Sequence, residues 1–270
     1  MANPPLVDMM EKVWFSITGL CERFSEVEWQ TPTDCPGWSV QDQIAHMAGS
    51  ESRLLDRPAP QHTPSDLSHV KNEGGERNEV LVDWRRSWSG AEVLQEFKSL
   101  VQERLVVLHS LSETSLDEEL KTSAGVATIR EQLNRRIYDA WSHEQDIRRA
   151  LNLPGHMDGS VARHVFERTL MAMPYVVGRK VKPADGTTVV IEVTGSIAGV
   201  VSIEVNGDRA NRLDDVPPHP TVSLRMDFQT FTCLGCGRWD TAEVVTSGKV
   251  VIAGNQDLGE NIIHQMAIVN

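Results

Sequence analysis

Asp139-Ala-Trp-Ser-His143-Glu144-Gln-Asp146 lies inside a longer segment, about Ile129 to Leu151, in which Ile129, Leu133, Ile137, Ala140, Ile147 and Leu151 recur at helical intervals. That spacing predicts one amphipathic helix, stopped by Leu153-Pro154-Gly155. Side chains four residues apart share a helix face, so Asp139 and His143 stand one turn apart, with Asp146 three residues further on. A carboxylate and an imidazole in that relation supply two ligands, and a third donor from another helix would complete an open three-ligand metal site. The competing reading is a solvated acidic face. Glu144 falls in the apolar stripe itself, where a carboxylate needs a cation, a donor or a proton; Arg136 and Arg148 are the candidate cations.

The third donor is sought in Ser39-Val-Gln-Asp-Gln-Ile-Ala-His46-Met. Cys35-Pro36-Gly37 breaks the chain, Ser39 is a good N-cap, and Asp42 three residues on complements the exposed amides of a new helix. Val40, Ile44, Met47, Glu51 and Leu55 form its stripe, and His46 lies on the flank with Gln43, Ser50 and Arg53. A flank histidine is either a surface residue or a ligand, and only a partner decides. Neutral imidazole with a carboxylate suits Zn²⁺ or a similar divalent ion, which lowers the pKa of a bound thiol or water.

Further helices are predicted over about Leu6 to Phe24, Ala91 to Leu111 and Val161 to Val177, each from apolar residues at three- and four-residue intervals. The polar stretch from about Pro58 to Glu79 has the composition of a long surface loop. After Lys182-Pro183-Ala184-Asp185-Gly186 the helical period gives way to alternation. Segments over 188–194, 200–205, 221–226 and 248–254 read as strands of a small antiparallel sheet, with helices over 229–234 and 258–269. The fold class expected is therefore α plus α+β: a helical bundle over 1–180 and a small α+β domain over 181–270.

Composition narrows the partners. The chain has 270 residues, 40% of them hydrophobic and 24% charged, which is ordinary for a globular protein with real cores. A formal net charge of -12, with no long Lys/Arg block, disfavours nucleic acid and anionic membranes and favours small molecules. The first residues lack the basic start and apolar core of a secretory signal, and no stretch reaches the roughly 20 apolar residues of a membrane helix, so a cytoplasmic location is the expectation. Cys21, Cys35, Cys233 and Cys236 are few for a disulfide framework in a chain of this length, and Cys233-Leu-Gly-Cys236 reads as packing thiols rather than half of a zinc ribbon. Neither a nucleotide-binding glycine pattern nor a Gly-x-Ser-x-Gly elbow is present.

The run from Trp29 through Cys35-Pro36-Gly37-Trp38 to His46, together with Asp139 to Leu151, resembles the two metal motifs of the mycothiol-dependent maleylpyruvate isomerase family. That family belongs to the DinB-like superfamily of metal-binding four-helix bundles. The resemblance implies an N-terminal DinB-like up-down four-helix bundle and a C-terminal α+β domain of sterol-carrier-like fold. It implies that His46, Asp139 and His143 hold a divalent metal, usually zinc, and that mycothiol or a similar low-molecular-weight thiol binds there as thiolate. It implies attack on a small electrophile, as a cis-trans isomerase or as an S-transferase. The chain departs from the family's isomerase at Asp139, where that enzyme has glutamate; the shorter side chain reaches a metal differently or leaves room for another water. An arginine of the C-terminal domain also serves the family's isomerase, and Arg238 is its expected counterpart, with Arg225 second. Metal-assisted hydrolysis with Glu144 or Asp146 as base, and a non-catalytic metal- or ligand-binding module, are the alternatives.

Overall fold

The computed structural model describes residues 5–122, 125–207 and 209–269. The chain forms two compact units, Met1–His156 and Met157–Asn270. The first contains helices α1 (Pro5–Cys21), α2 (Glu26–Trp29), α3 (Val40–Leu54), α4 (Glu73–Asp83), α5 (Gly90–His109) and α6 (Ile129–Ala150), with a short hairpin of β1 (Glu119–Thr122) and β2 (Gly125–Thr128). Four long helices make the bundle: α1 packs on α5 and α6, and α3 packs on the same two. The expected four-helix bundle is present.

Local chemistry fixes the phase of the helices that matter. At the start of α3 the Asp42 carboxylate accepts from the Ser39 amide at 2.9 Å while the Ser39 hydroxyl accepts from the Asp42 amide at 3.3 Å, a reciprocal capping box. Thr128 and Glu131 do the same for α6. These caps fix where each helix starts, and the apolar stripe then decides which residues face inward. Gly37 sits at φ +78, and a Cβ there would meet the His69 ring at 2.5 Å, so the tight turn before Trp38 needs glycine.

One expectation is corrected. The loop predicted to run to Glu79 ends earlier, because α4 starts at Glu73 behind the Asn72 N-cap. Gly74 and Gly75 hide this helix from propensity, and it holds through its cap and the burial of Leu81 and Val82.

The second unit contains α7 (Gly159–Tyr175), β3 (Thr188–Thr194), β4 (Gly199–Asn206), β5 (Arg209–Leu213), β6 (Val222–Asp227), α8 (Phe228–Gly235), α9 (Thr241–Thr246), β7 (Val250–Gly254) and α10 (Gln256–Gln265). The sheet order is β5-β4-β3-β6-β7. Its pairings are antiparallel except β3 with β6, which run parallel with Ile191 opposite Leu224. Alternation marks a strand but not its direction, so the parallel pair is a tertiary outcome. The sequence places the domain division at 180/181; α7 lies between that point and Met157, and it packs on β5 and α8 through Phe166 against Phe228 and Phe231.

Candidate metal centre

Helices α3 and α6 pack together, and the residues facing across that contact are polar. His46 comes from α3; Asp139 and His143 come from α6, one turn apart. The Asp139 carboxylate spans the two imidazoles: Oδ2 is 3.3 Å from Nε2 of His46, and Oδ1 is 3.4 Å from Nε2 of His143. One ligand atom from each of the three residues lies within 4.8 Å of the others, and the two rings are 4.7 Å apart at their centroids.

Neighbouring groups orient each member. Gln43, one turn before His46, donates from its amide nitrogen to Thr33 Oγ1 at 2.7 Å, which fixes its carbonyl oxygen toward Nδ1 of His143. A carbonyl oxygen facing Nδ1 favours the tautomer with the proton there, the one whose Nε2 can bind a metal. Asp146 stands 3.4 Å from the same Nδ1 and is itself held by Arg149 at 2.6 Å. Arg136 donates to Asp139 Oδ2 at 2.5 Å and to Glu51 Oε1 at 2.9 and 2.7 Å. The Trp38 ring lies against both imidazoles, 5.1 Å from His46 and 5.8 Å from His143. Its indole N–H donates to Glu79 at 2.9 Å, and Glu79 is also bound by His69 and Arg86.

Burial sets the protonation states. Desolvation pushes the His46 imidazole down to about 4, outweighing the pull of Asp139 in the other direction. Burial works to raise the Asp139 carboxyl, but its contacts with His46, His143 and the Arg136 guanidinium outweigh it and hold the group well below the ordinary carboxylate range. A neutral imidazole and an ionised carboxylate, converging from two rigid helices with a second imidazole, make a donor set that fits a divalent cation.

His46, Asp139 and His143 are therefore brought together as the two sequence motifs predict. The acidic face is not a solvated one throughout: Asp146 and His143 are buried while Asp139 is part exposed, and Glu144 in the apolar stripe is buried. Glu144 takes Arg148 as its cation at 2.8 Å and also binds Ser16 at 2.6 Å and His156 at 2.7 Å. Arg238 follows α8 in the second unit and donates to the Cys236 carbonyl at 3.0 Å; Arg225 is exposed on the outer face of β6, 3.7 Å from Glu192. All four cysteines are thiols. The orienting residues Gln43, Glu51 and Arg136 escape a reading of ligand motifs alone. Glu51 carried a signal, since it is a carboxylate in the apolar stripe of its own helix, as Glu144 is.

Fold and site define a helical bundle with a built-in cluster of metal-capable ligands, joined to an α+β unit. The chain belongs to the mycothiol maleylpyruvate isomerase family: residues 10–148 match the model of that family's N-terminal domain. Among solved structures it is similar to a mycothiol-dependent maleylpyruvate isomerase, at 15% identity over 94% of this chain and 96% of that one, with a TM-score of 0.56. A histidine-to-alanine mutant of such an isomerase gives 13% identity, the same coverages and a TM-score of 0.55. Sterol carrier protein 2 from Yarrowia lipolytica aligns with 40% of this chain and 94% of its own, at 12% identity and a TM-score of 0.30. No curated protein sequence matches. No helix among the described residues is long and apolar enough to cross a membrane.

Proposed function

We propose that this chain is a cytoplasmic, divalent-metal-dependent enzyme that activates a low-molecular-weight thiol, mycothiol or a close analogue, for addition to a small electrophile. His46, Asp139 and His143 are its ligands, and zinc is the ion their chemistry suits best. The observation that carries this reading is the convergence of two Nε2 atoms on one carboxylate between α3 and α6. A divalent ion bound there supplies a Lewis acid that generates a thiolate near neutral pH. The protein's own part is to keep His46 unprotonated by burial, to favour the metal-binding His143 tautomer through Gln43, and to cover both rings with Trp38.

Addition of the thiol to a conjugated cis alkene, rotation and elimination would give a maleylpyruvate-type cis-trans isomerase; retention of the adduct would give an S-transferase. By resemblance to the family's isomerase, Arg238 is proposed as a cation that binds substrate. The hydrolase alternative is less favoured, because Glu144 and Asp146 are each already engaged by an arginine and are shut away from solvent.

The test is metal content of the purified protein and its His46→Ala and His143→Ala variants, followed by titration of the cobalt form with 2-mercaptoethanol. About one metal per chain, lost in both variants, with thiolate-to-cobalt absorption in the wild type, is the expected result. Metal retained in both variants, or no thiol-dependent absorption, overturns the proposal.

A further inference from the structure

Arg136 is tied down on its far side before it reaches the ligand cluster. Its Nε and Nη2 both donate to Oε1 of Glu51, at 2.9 and 2.7 Å, and Oε2 of Glu51 accepts from Arg104 Nε at 3.1 Å. Glu51 is fully buried and Arg104 nearly so, so this anchor is out of water and cannot swing. A guanidinium is planar, and two of its nitrogens fixed on one carboxylate aim the third. That third nitrogen, Nη1, lies 2.5 Å from Oδ2 of Asp139. Arg104, Glu51, Arg136 and Asp139 thus form a ladder of alternating charge running from α5 through α3 to α6.

From this geometry, and resting on the functional reading above, we infer that Arg136 is the positioning residue of the metal centre. It reserves Oδ2 of Asp139, so that the carboxylate offers a divalent cation Oδ1, the oxygen beside Nε2 of His143. Asp139 needs such a guide: its side chain is 34% exposed, while those of His46 and His143 are held at 7% and 6%. The ladder has a second effect. Its two cations and two anions cancel, so a divalent ion at the centre keeps its full charge and favours an anionic exogenous ligand. Asp139 with no arginine beside it would take away part of that charge and, with both oxygens available, one more coordination position.

Arg136→Lys and Arg136→Met test this in the cobalt-loaded protein. Lysine keeps a cation for buried Glu51 but cannot bridge two carboxylates in one plane, so it separates positioning from folding should the methionine variant fold poorly. Both variants are expected to shift the cobalt visible spectrum as Oδ2 is released. Both are expected to weaken cobalt affinity, on the order of 10–100-fold, as loss of an orienting partner does in other metal sites, and to raise the 2-mercaptoethanol midpoint. A purely structural arginine would lower the melting temperature and leave spectrum and thiol midpoint at wild-type values; that result in the lysine variant overturns the inference. Wild-type protein that binds cobalt without thiolate absorption removes the proposed function alone, since the spectral shift still tests Arg136. Wild-type protein that binds no cobalt removes both.

Discussion

The two units bury different chemistry. In the bundle the buried set includes Gln43, His46, Glu51, Glu79, Arg85, Arg104, His143, Glu144 and Asp146. In the sheet unit the buried polar residues among those described are hydroxyl bearers, Thr169, Thr187, Ser202, Thr230 and Thr232. Several of these satisfy themselves locally, as Thr169 does on the Val165 carbonyl at 2.9 Å and Thr232 on the Phe228 carbonyl at 3.0 Å. Hydrocarbon with a few self-satisfied hydroxyls is enough to close a core. Burying charge costs several kcal/mol per ion unless each has its partner, so the bundle's interior depends on matched pairs in a way the sheet unit's does not.

Glu51→Ala should give the largest loss of stability, because it leaves Arg104 and Arg136 as buried cations without their shared anion. The expected cost is about 3–5 kcal/mol in a urea melt of the metal-free protein. A value no larger than that of a methyl deletion in the sheet would erase the contrast between the units.

Next in size is a pH effect confined to the bundle. The folded His46 pKa is depressed to about 4 from an ordinary 6.5, so below pH 6.5 the unfolded chain takes up a proton that the folded chain refuses. His46 therefore contributes its full stability above pH 6.5, and loses it as pH falls toward 4, up to about 3 kcal/mol. Urea midpoints of metal-free wild type and His46→Gln, compared across that range, should show the steeper decline in the wild type. Parallel curves would mean that His46 is not the group responsible.

Ile191→Val, at a fully buried position of β3, should cost about 0.5–1.5 kcal/mol with little dependence on pH or salt, as hydrocarbon burial predicts. Smallest of all is Arg57→Ala. Its guanidinium lies 2.7 Å from both oxygens of Glu103, but both side chains are nearly half exposed, so the loss should stay below about 1 kcal/mol and fade in high salt. A large, salt-resistant loss there would show that exposed pairs matter as much as the buried ladder.

Periodicity and end signals were enough for the long elements. The Ser39 cap, the stripe of α6 and the alternation over 188–194 all reappear in place, because each depends on neighbours within a turn or a strand. Short elements escaped. Helix α4 contains a Gly-Gly pair, and β5 has an exposed, polar sequence that alternation cannot flag. The three metal-capable residues were legible because imidazole and carboxylate at one-turn spacing is an unusual pattern, and because it resembles a known family's motifs. The burial of His46 was not. It lies on the flank of its helix, and only packing of α3 against α4, α5 and α6 takes that flank out of solvent.

Spacings of a few residues encode the helical and strand periods, the cap that starts α3, and the one-turn separation of Asp139 and His143. Tertiary structure alone decided that α6 would be buried around His143 on its polar as well as its apolar side, that Glu51 would reach Arg136 across 85 positions of chain, and that Gln43 would find His143 across 100. Charge partners distant in sequence are chosen by the desolvation cost of leaving any buried charge alone, and that cost exists only once the helices have packed.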